Sequence, residues 1–518
     1  MKVAQLHGPK VKPFQVSELE YLLQDDSPDL FFSFGLQKSG QLIVTCAPAR
    51  LDIMGGIADY CGANVFEMTL NRTAIAACQA REDRNLCAVT LSTESQLTPN
   101  FHVSLDNFYS NRTLKTYPEV RELFNKIPRT AWAGYILGAF HVLLKEGKIH
   151  QFPHGATIVI NSSIPMGGGV ASSAAIEVAT LMALNQLYNL ELGMMEIARL
   201  AQTVENQIVG APCGIMDQVA SVAGRSTKIL SILCQPDTLQ DGLASDALNL
   251  EFVSCPSSVS FIGIYTKVRR STTSTAYVDT RIGTFMGLAI LKAAFASDTD
   301  TSDMSSSGDS DAVEKISERL ADNYLCNLSV EEFHEQCEHL LPEEMHGEEF
   351  LEKYGETVDT ATQVVPEKLY VVKDRVEHAI YENARVKQFI AALKNVDKDP
   401  THTPDYLGEA GNLMYESNAS YRDLAGLGSP EVDGLVNIAR KIGKQGGIYG
   451  AKITGGGGGG TVALLCHGNV ESSLTQILAA YKLAWGIDAE LIRGDAAGAF
   501  EFGHILWELK ELEPPTHF

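Results

Sequence analysis

Apolar runs broken by glycine-rich stretches organise this chain. Leu42 to Thr45 is a short β-branched run that reads as a strand, and it enters CAPARLDIMGGIADYCGANV, where proline and paired glycines read as a loop. Ala156 to Ile160 reads as a second strand. It leads through NSSIPMGGGVASSAA into Ala174 to Tyr188, whose Ala, Ile, Val, Leu and Met positions follow the 3.6-residue period of a buried helix. Thr203, Glu205, Asn206 and Gln207 are polar positions of a further helix, ahead of the Gly-flanked stretch GAPCGIMDQVAS. Near the end of the chain, GAKITGGGGGGTVALLC is a glycine run followed by a β-branched strand, with a helix expected from about Val470 to Ala484. Residues 297–311 are almost entirely Ser, Thr, Asp and Gly, which offer no core face, so a disordered surface insertion is expected there. No fixed-period repeat is present.

Composition narrows the function. The 518 residues exceed one ordinary core and suggest two or three domains, with 45% hydrophobic and 20% charged residues as in folded globular proteins. Lys plus Arg total 41 against 64 Asp plus Glu, a net charge of −23, which opposes nucleic acid and anionic membrane as partners. Any phosphorylated ligand must therefore be held by local amides, a helix end and a few placed cations. Ten cysteines without a C-x-x-C pair fit a reduced compartment, and no apolar run long enough to span a membrane appears, so a cytoplasmic location is expected. His334, Cys337 and His339 do not share one helical face and are not read as a metal site.

The strand, glycine loop and helix start around Gly167–Ser173 suit an anion, because glycines let backbone N–H groups converge and the helix adds its unsatisfied amides and positive dipole end. The segment matches neither G-x-x-x-x-G-K-[ST] nor G-x-G-x-x-G, and a plain turn with a serine cap is the bland alternative. Asp217 sits among Ile215, Met216, Val219 and Ala220, where a carboxylate is costly without a partner. It is either a functional group or a helix cap or satisfied structural aspartate. Arg50 could hold that carboxylate ionised and neutralise a phosphoryl group, or it is an ordinary surface ion pair.

Together these segments are recognisable. APARLDIMGGIADY, PMGGGVASSAA and KITGGGGGGT, in that order, resemble the three signature motifs of the GHMP family of small-molecule kinases. CGIMDQ, TRIGTFMG and GEAGNLMYESNASY resemble its galactokinase and arabinokinase branch, and the match runs from about Ile43 to Thr461. The resemblance implies an α+β, two-lobed GHMP kinase fold, with a ribosomal-S5-like N-terminal lobe and a ferredoxin-like C-terminal lobe. Residues 1–40 are then an N-terminal extension, 41–255 the N-terminal lobe and 256–518 the C-terminal lobe. No fused second enzyme half is expected in the 40 residues before the first motif, and a monomer is expected.

The site residues implied are as follows. Gly167, Gly168, Gly169, Val170, Ala171, Ser172 and Ser173 wrap the phosphates of ATP, and Ser172, Ser173 and Glu205 hold Mg²⁺. Asp217, paired with Arg50, accepts the proton of the sugar's anomeric hydroxyl. Asp59 holds ring hydroxyls in a pocket completed by Gly56, Ile57, Tyr60, Cys213, Gly214 and Tyr277, and Gly455, Gly456 and Gly457 line the site. Arg269 and Arg270 read as lobe-closing or phosphate-steering cations, and Phe108 and Tyr109 as adenine candidates. Galactokinases carry an acidic residue and a histidine where this chain has Gly56 and Ile57. That pair reaches towards the C6 hydroxyl of galactose, which L-arabinopyranose lacks. The expected partners are therefore ATP and a small sugar, the expected reaction is phosphorylation of L-arabinose at its anomeric hydroxyl, and a galactokinase or a non-catalytic sugar and nucleotide sensor are the alternatives.

Overall fold

In the computed structural model of this protein, the described residues are 2–9, 12–24, 35–92, 97–235, 250–269, 274–297 and 309–511. Nine strands form the larger sheet: β1 (Lys2–His7), β2 (Gly40–Met54), β3 (Asn64–Ala80), β4 (Asn85–Thr90), β5 (Asn100–Ser104), β6 (Ala156–Ser162), β7 (Lys228–Leu233), β8 (Leu250–Ser254) and β13 (His504–Lys510). Their order is β1-β13-β2-β3-β6-β4-β5, with β7 on the other end of β3 and β8 beyond it; only β4 and β6 run parallel. The second sheet is antiparallel, β10-β11-β9-β12, from β9 (Val259–Tyr265), β10 (Ile448–Ile453), β11 (Thr461–His467) and β12 (Glu490–Arg493). In chain order that is 2-3-1-4, the ferredoxin-like arrangement expected for the second lobe.

The structure corrects the sequence reading in two places. The strand begun at Leu42 does not end before the proline: β2 pairs with β3 through Ala47, Pro48, Arg50, Leu51 and Asp52, and the turn is confined to Gly55–Ala63. Register shifts between Pro48 and Arg50 and between Asp52 and Met54 make this possible, since proline cannot donate to a ladder and is tolerated at a bulge. Neither end of the chain respects the expected boundaries. β13 pairs with β2 of the first lobe and β1 pairs with β13, so 256–518 is not wholly the second lobe and 1–40 is not merely an extension. Helix α1 (Phe14–Gln24) buries Val16, Leu19 and Leu23, at one-turn spacing, on the face of the sheet that also buries Leu42, Val44 and Trp507. Of the expected insertion at 297–311, residues 298–308 lie outside the described residues.

Helices α2 (Ser172–Tyr188), α3 (Met194–Thr203) and α4 (Met216–Ala223) pack in the main core of the first lobe. Helices α5 (Thr275–Ser297), α6 (Lys373–Lys398) and α7 (Thr403–Asp423) belong to the second lobe, but Val386, Phe389 and Leu393 of α6 enter the first lobe's core. Apolar burial of this kind, worth about 25 cal/mol per Å², makes the lobe junction a packed interface rather than a hinge of loops.

Candidate functional site

The three motifs, far apart in sequence, interlock at one point. Arg50 on β2 donates its backbone N–H to Val170 O at 3.2 Å and its Nη1 to Gly169 O at 2.7 Å. Thr461 Oγ1 donates to Gly168 O at 2.7 Å, and Thr266 N and Oγ1 both donate to Gly460 O. The glycine at 455 is dictated by this contact: φ is +64°, and a Cβ would lie 2.8 Å from Arg50 Nη2 and 2.9 Å from Gly169 O. Gly455, Gly456 and Gly457 are all buried.

Asp217, in the first turn of α4, meets Arg50 through Nε at 2.9 Å and Nη2 at 2.7 Å, so the carboxylate and guanidinium form the pair the sequence suggested. Arg50 is fully buried while Asp217 keeps 18% of its side chain exposed, which leaves the carboxylate the reachable member. Burial works against the Arg50 charge, but Asp217, Glu67 and Asp52 more than offset it and hold the guanidinium protonated. Glu67 on β3, 3.4 Å from Arg50 Nε and fully buried, is pushed upward by burial and by Asp52. Asp217 is not a helix cap, because Ile215 occupies that position.

Asp59 sits in the turn between β2 and β3, 4% exposed, and accepts from Met216 N at 3.3 Å. Gly214 is there to admit it, since a Cβ would come 1.8 Å from Asp59 Oδ2. Burial first, and then the charge of Asp217, push the Asp59 carboxyl up to about 7. Gly56 (φ +46°) and Ile57 are clamped by Tyr421 of α7: its hydroxyl accepts from Ile57 N at 2.8 Å and donates to Gly455 O at 2.8 Å, and a Cβ at 56 would lie 1.5 Å from that oxygen. Ile57 is itself buried, in one apolar cluster with Tyr60 and Tyr277. The rings of Tyr60 and Tyr277 meet edge to face at 6.5 Å.

Glu205 lies where α3 passes into the π-helical turn Val204–Val209, a distortion frequent at functional sites. Ser173 hydrogen-bonds Glu205, Gln218 Nε2 donates to it at 2.8 Å, and burial raises its carboxyl to about 7. Glu177 of α2, which sequence reasoning missed, is fully buried beside it; burial and Glu205 push it well above the usual range, and its Oε1 has no hydrogen-bond partner among the described residues. Cys213 completes this corner, accepting weakly at Sγ from Gln218 Nε2 and fixed by Asn206 Oδ1 on its backbone N–H.

A cavity of 660 Å³ runs along the glycine loop; Ser173, which hydrogen-bonds Glu205, lines it, whereas Glu205, Glu177 and Cys213 do not. Gly167, Gly168, Gly169, Ala171, Ser172, Ser173 and Asp217 line it, and Leu91, Leu97, Trp132, Tyr135 and Ile176 form an apolar end. Ala171 adopts φ +60° at the cap of α2 with no side chain capping the helix, so the first-turn amides face a loop strained into shape. Phe108 and Tyr109 do not line the cavity; Phe108 is fully buried in the core. Arg269 lines it, and Arg270 lies outside the described residues.

Also missed was the buried pair that joins the first and third motifs. Asp52 Oδ2 accepts from Lys452 Nζ at 2.9 Å and from Gly455 N at 2.9 Å, Oδ1 accepts from Gly56 N at 3.1 Å, and both side chains are fully buried. The two residues stand 400 positions apart, beyond any spacing rule.

Comparison with known proteins agrees with this geometry. The GHMP kinases N terminal domain matches residues 134–225, the GHMP kinases C terminal domain 403–483, and the galactokinase galactose-binding signature 33–80. An L-arabinokinase of Arabidopsis thaliana is 33% identical over an alignment 501 positions long that covers 90% of this chain; the chain spans about half, 47%, of that protein's length. The galactokinase of Lactococcus lactis, solved in complex with galactose, shares the fold with a TM-score of 0.66 at 21% identity, over 94% of this chain and 99% of that one. Among the described residues no helix is long and apolar enough to cross a membrane. The N- and C-terminal domain matches, in order and containing the second and third of the interlocked motifs, with the relative above, make this chain a member of the GHMP kinase family.

Proposed function

We propose that this chain is an ATP-dependent sugar 1-kinase that converts L-arabinose and ATP to L-arabinose 1-phosphate and ADP. The observation that carries the kinase reading is the buried Arg50 with the reachable Asp217 at the end of a cavity walled by the glycine loop. The anomeric oxygen bonds to the γ-phosphorus, its proton passes to the Asp217 carboxylate, and the bond from that phosphorus to the oxygen of the departing ADP breaks. Arg50 orients the carboxylate, while loop amides and the start of α2 face the phosphate charge. Base assistance is worth about 10² to 10⁴ in rate, the remainder coming from alignment and electrostatics.

A divalent cation fits the Glu205 corner. Two buried carboxyls, one with an orphaned oxygen, lie there with Ser173, and among the described residues no cationic side chain is bonded to either; hard oxygen donors suit Mg²⁺. Ser172, Ser173 and Glu205 would hold it, and when bound it neutralises phosphate charge.

For the sugar, Gly56 and Ile57 support a pentose. With Tyr421 in place no side chain fits at 56, so the acidic group that galactokinases carry there has no room, and a C6 hydroxyl would meet apolar Ile57 unpaired. The 33% identity to an L-arabinokinase supports the same substrate. Galactose is the second reading, favoured by the signature match over 33–80. An ADP-release assay across pentoses and hexoses separates them: L-arabinose is expected to exceed D-galactose in kcat/KM, by about 10² where an apolar pocket faces one extra group. A preference for galactose would overturn the arabinose assignment.

A further inference from the structure

TRIGTFMG, on α5, contains a buried cation that the catalytic arrangement leaves unused. Arg281 stands four residues after Tyr277, on the same face of the helix. Its Nε and Nη2 donate to Asp359 Oδ2 and Oδ1, both at 2.8 Å, in a two-pronged pair whose side chains are 7% and 3% exposed. Asp359 is fixed in turn by Ala361 N at 3.0 Å and Thr362 Oγ1 at 2.6 Å. The guanidinium lies over the Tyr60 ring, 4.8 Å from its centroid, and beside Phe285 at 5.4 Å.

So anchored, Arg281 cannot swing, and its Nη1 has no hydrogen-bond partner among the described residues. A buried cationic N–H without an acceptor carries its full desolvation cost, which a bound group can relieve. The surroundings say what kind of group. Arg281 lies over the Tyr60 ring, one helical turn after Tyr277 and close enough to Asp59 for its charge to lower the carboxyl that burial and Asp217 raise, and these three are the residues read from the sequence as sugar-binding. Asp59 and Asp217 offer acceptors when ionised, and Gly56 and Ile57 bring no side-chain donor. A sugar hydroxyl needs its oxygen read as well as its proton.

We propose that Arg281, locked by Asp359, is a sugar-specificity residue whose Nη1 donates to one ring hydroxyl of the bound monosaccharide. Asp359 is its positioning residue. The inference rests on the sugar-kinase reading, and turnover of L-arabinose and D-galactose by the unaltered chain tests that reading separately.

The test takes whichever sugar the unaltered chain prefers, with its 2-, 3- and 4-deoxy analogues, and measures kcat and KM for sugar and ATP in Arg281→Lys, Arg281→Met and Asp359→Asn. Losing a hydrogen bond from a charged donor predicts a sugar KM raised about ten- to hundredfold with the ATP KM within about twofold. The penalty should vanish with one deoxy analogue and persist with the others. Arg281→Lys keeps charge and bulk, so a melting temperature near the parent's makes it the deciding variant should Arg281→Met fail to fold. An equal penalty on all analogues, equal rises in both KM values, or an unchanged sugar KM in Arg281→Lys would overturn the proposal.

Discussion

Asp52→Asn is expected to damage this protein more than any substitution at a residue that touches substrate, and the reason can be worked from the contacts. The Asp52 carboxylate accepts from Lys452 Nζ, Gly455 N and Gly56 N, with no solvent at either charge. In the asparagine one of the two oxygens becomes an amide donor, which must face either Gly56 N or the Lys452 and Gly455 N donors, and in both cases the ammonium loses the negative charge paired with it. Breaking a buried ion pair from one side costs about 3 to 5 kcal/mol. At roughly 2 to 4 °C per kcal/mol for domains of 150 to 250 residues, the melting temperature should fall by about 6 to 20 °C. Lys452→Met should cost a similar amount, because it strands the carboxylate. The double variant Asp52→Asn/Lys452→Met removes the stranded charge and should be more stable than Asp52→Asn alone, leaving about 1 to 3 kcal/mol for the backbone N–H groups that lose their acceptor. Differential scanning fluorimetry of the four chains, with kcat for each, completes the cycle. Strictly additive losses in the double variant would refute the claim that this pair, rather than two independent contacts, ties the first motif to the third.

Other outcomes follow from the same site. Asp217→Asn should lower kcat by at least about 10², and it should also lower the melting temperature, because the fully buried Arg50 loses a charged partner and keeps only Glu67 and Asp52 nearby; turnover within threefold would remove Asp217 from the role of base. Gly455→Ala forces a left-handed alanine, costing about 1 to 2 kcal/mol, and pushes on Arg50, so kcat should fall at least tenfold with a modest loss in melting temperature. Asp59, raised from 3.8 to about 7, keeps in the folded state a proton that the unfolded chain releases, so its contribution to stability is full below about 4 and is lost as pH rises through 7. The ionised form is the one that accepts sugar hydroxyls, so kcat/KM for the sugar should rise with pH through about 7. That step should disappear in Asp59→Asn, which separates it from Glu205, raised to a similar value.

How far these features could be read in advance depended on whether the cause was local. The glycine loop, the helix behind it, Arg50 with Asp217, and Gly455 were legible because each lies in a short motif whose residue types serve one chemistry. The strand through Pro48 was not, since only the bulged pairing with β3 shows that the proline is tolerated. Lys2–His7 and His504–Lys510 carried no sign that they close one sheet, because that pairing joins the two ends of the chain. Asp52 with Lys452, and Arg281 with Asp359, looked like ordinary charges; their burial arises from the packing of segments 400 and 78 residues apart. Glu177 was hidden by its place in an apolar helix, where it passed for one polar position among many.

The central claim is a phosphoryl transfer to the anomeric oxygen of a pentose, and the direct measurement is ADP release with L-arabinose and D-galactose in parallel, with phosphorus NMR of the product. The account predicts a higher kcat/KM for L-arabinose and a product phosphorus coupled to the anomeric proton. A higher kcat/KM for galactose, or phosphate on any other oxygen, would contradict it.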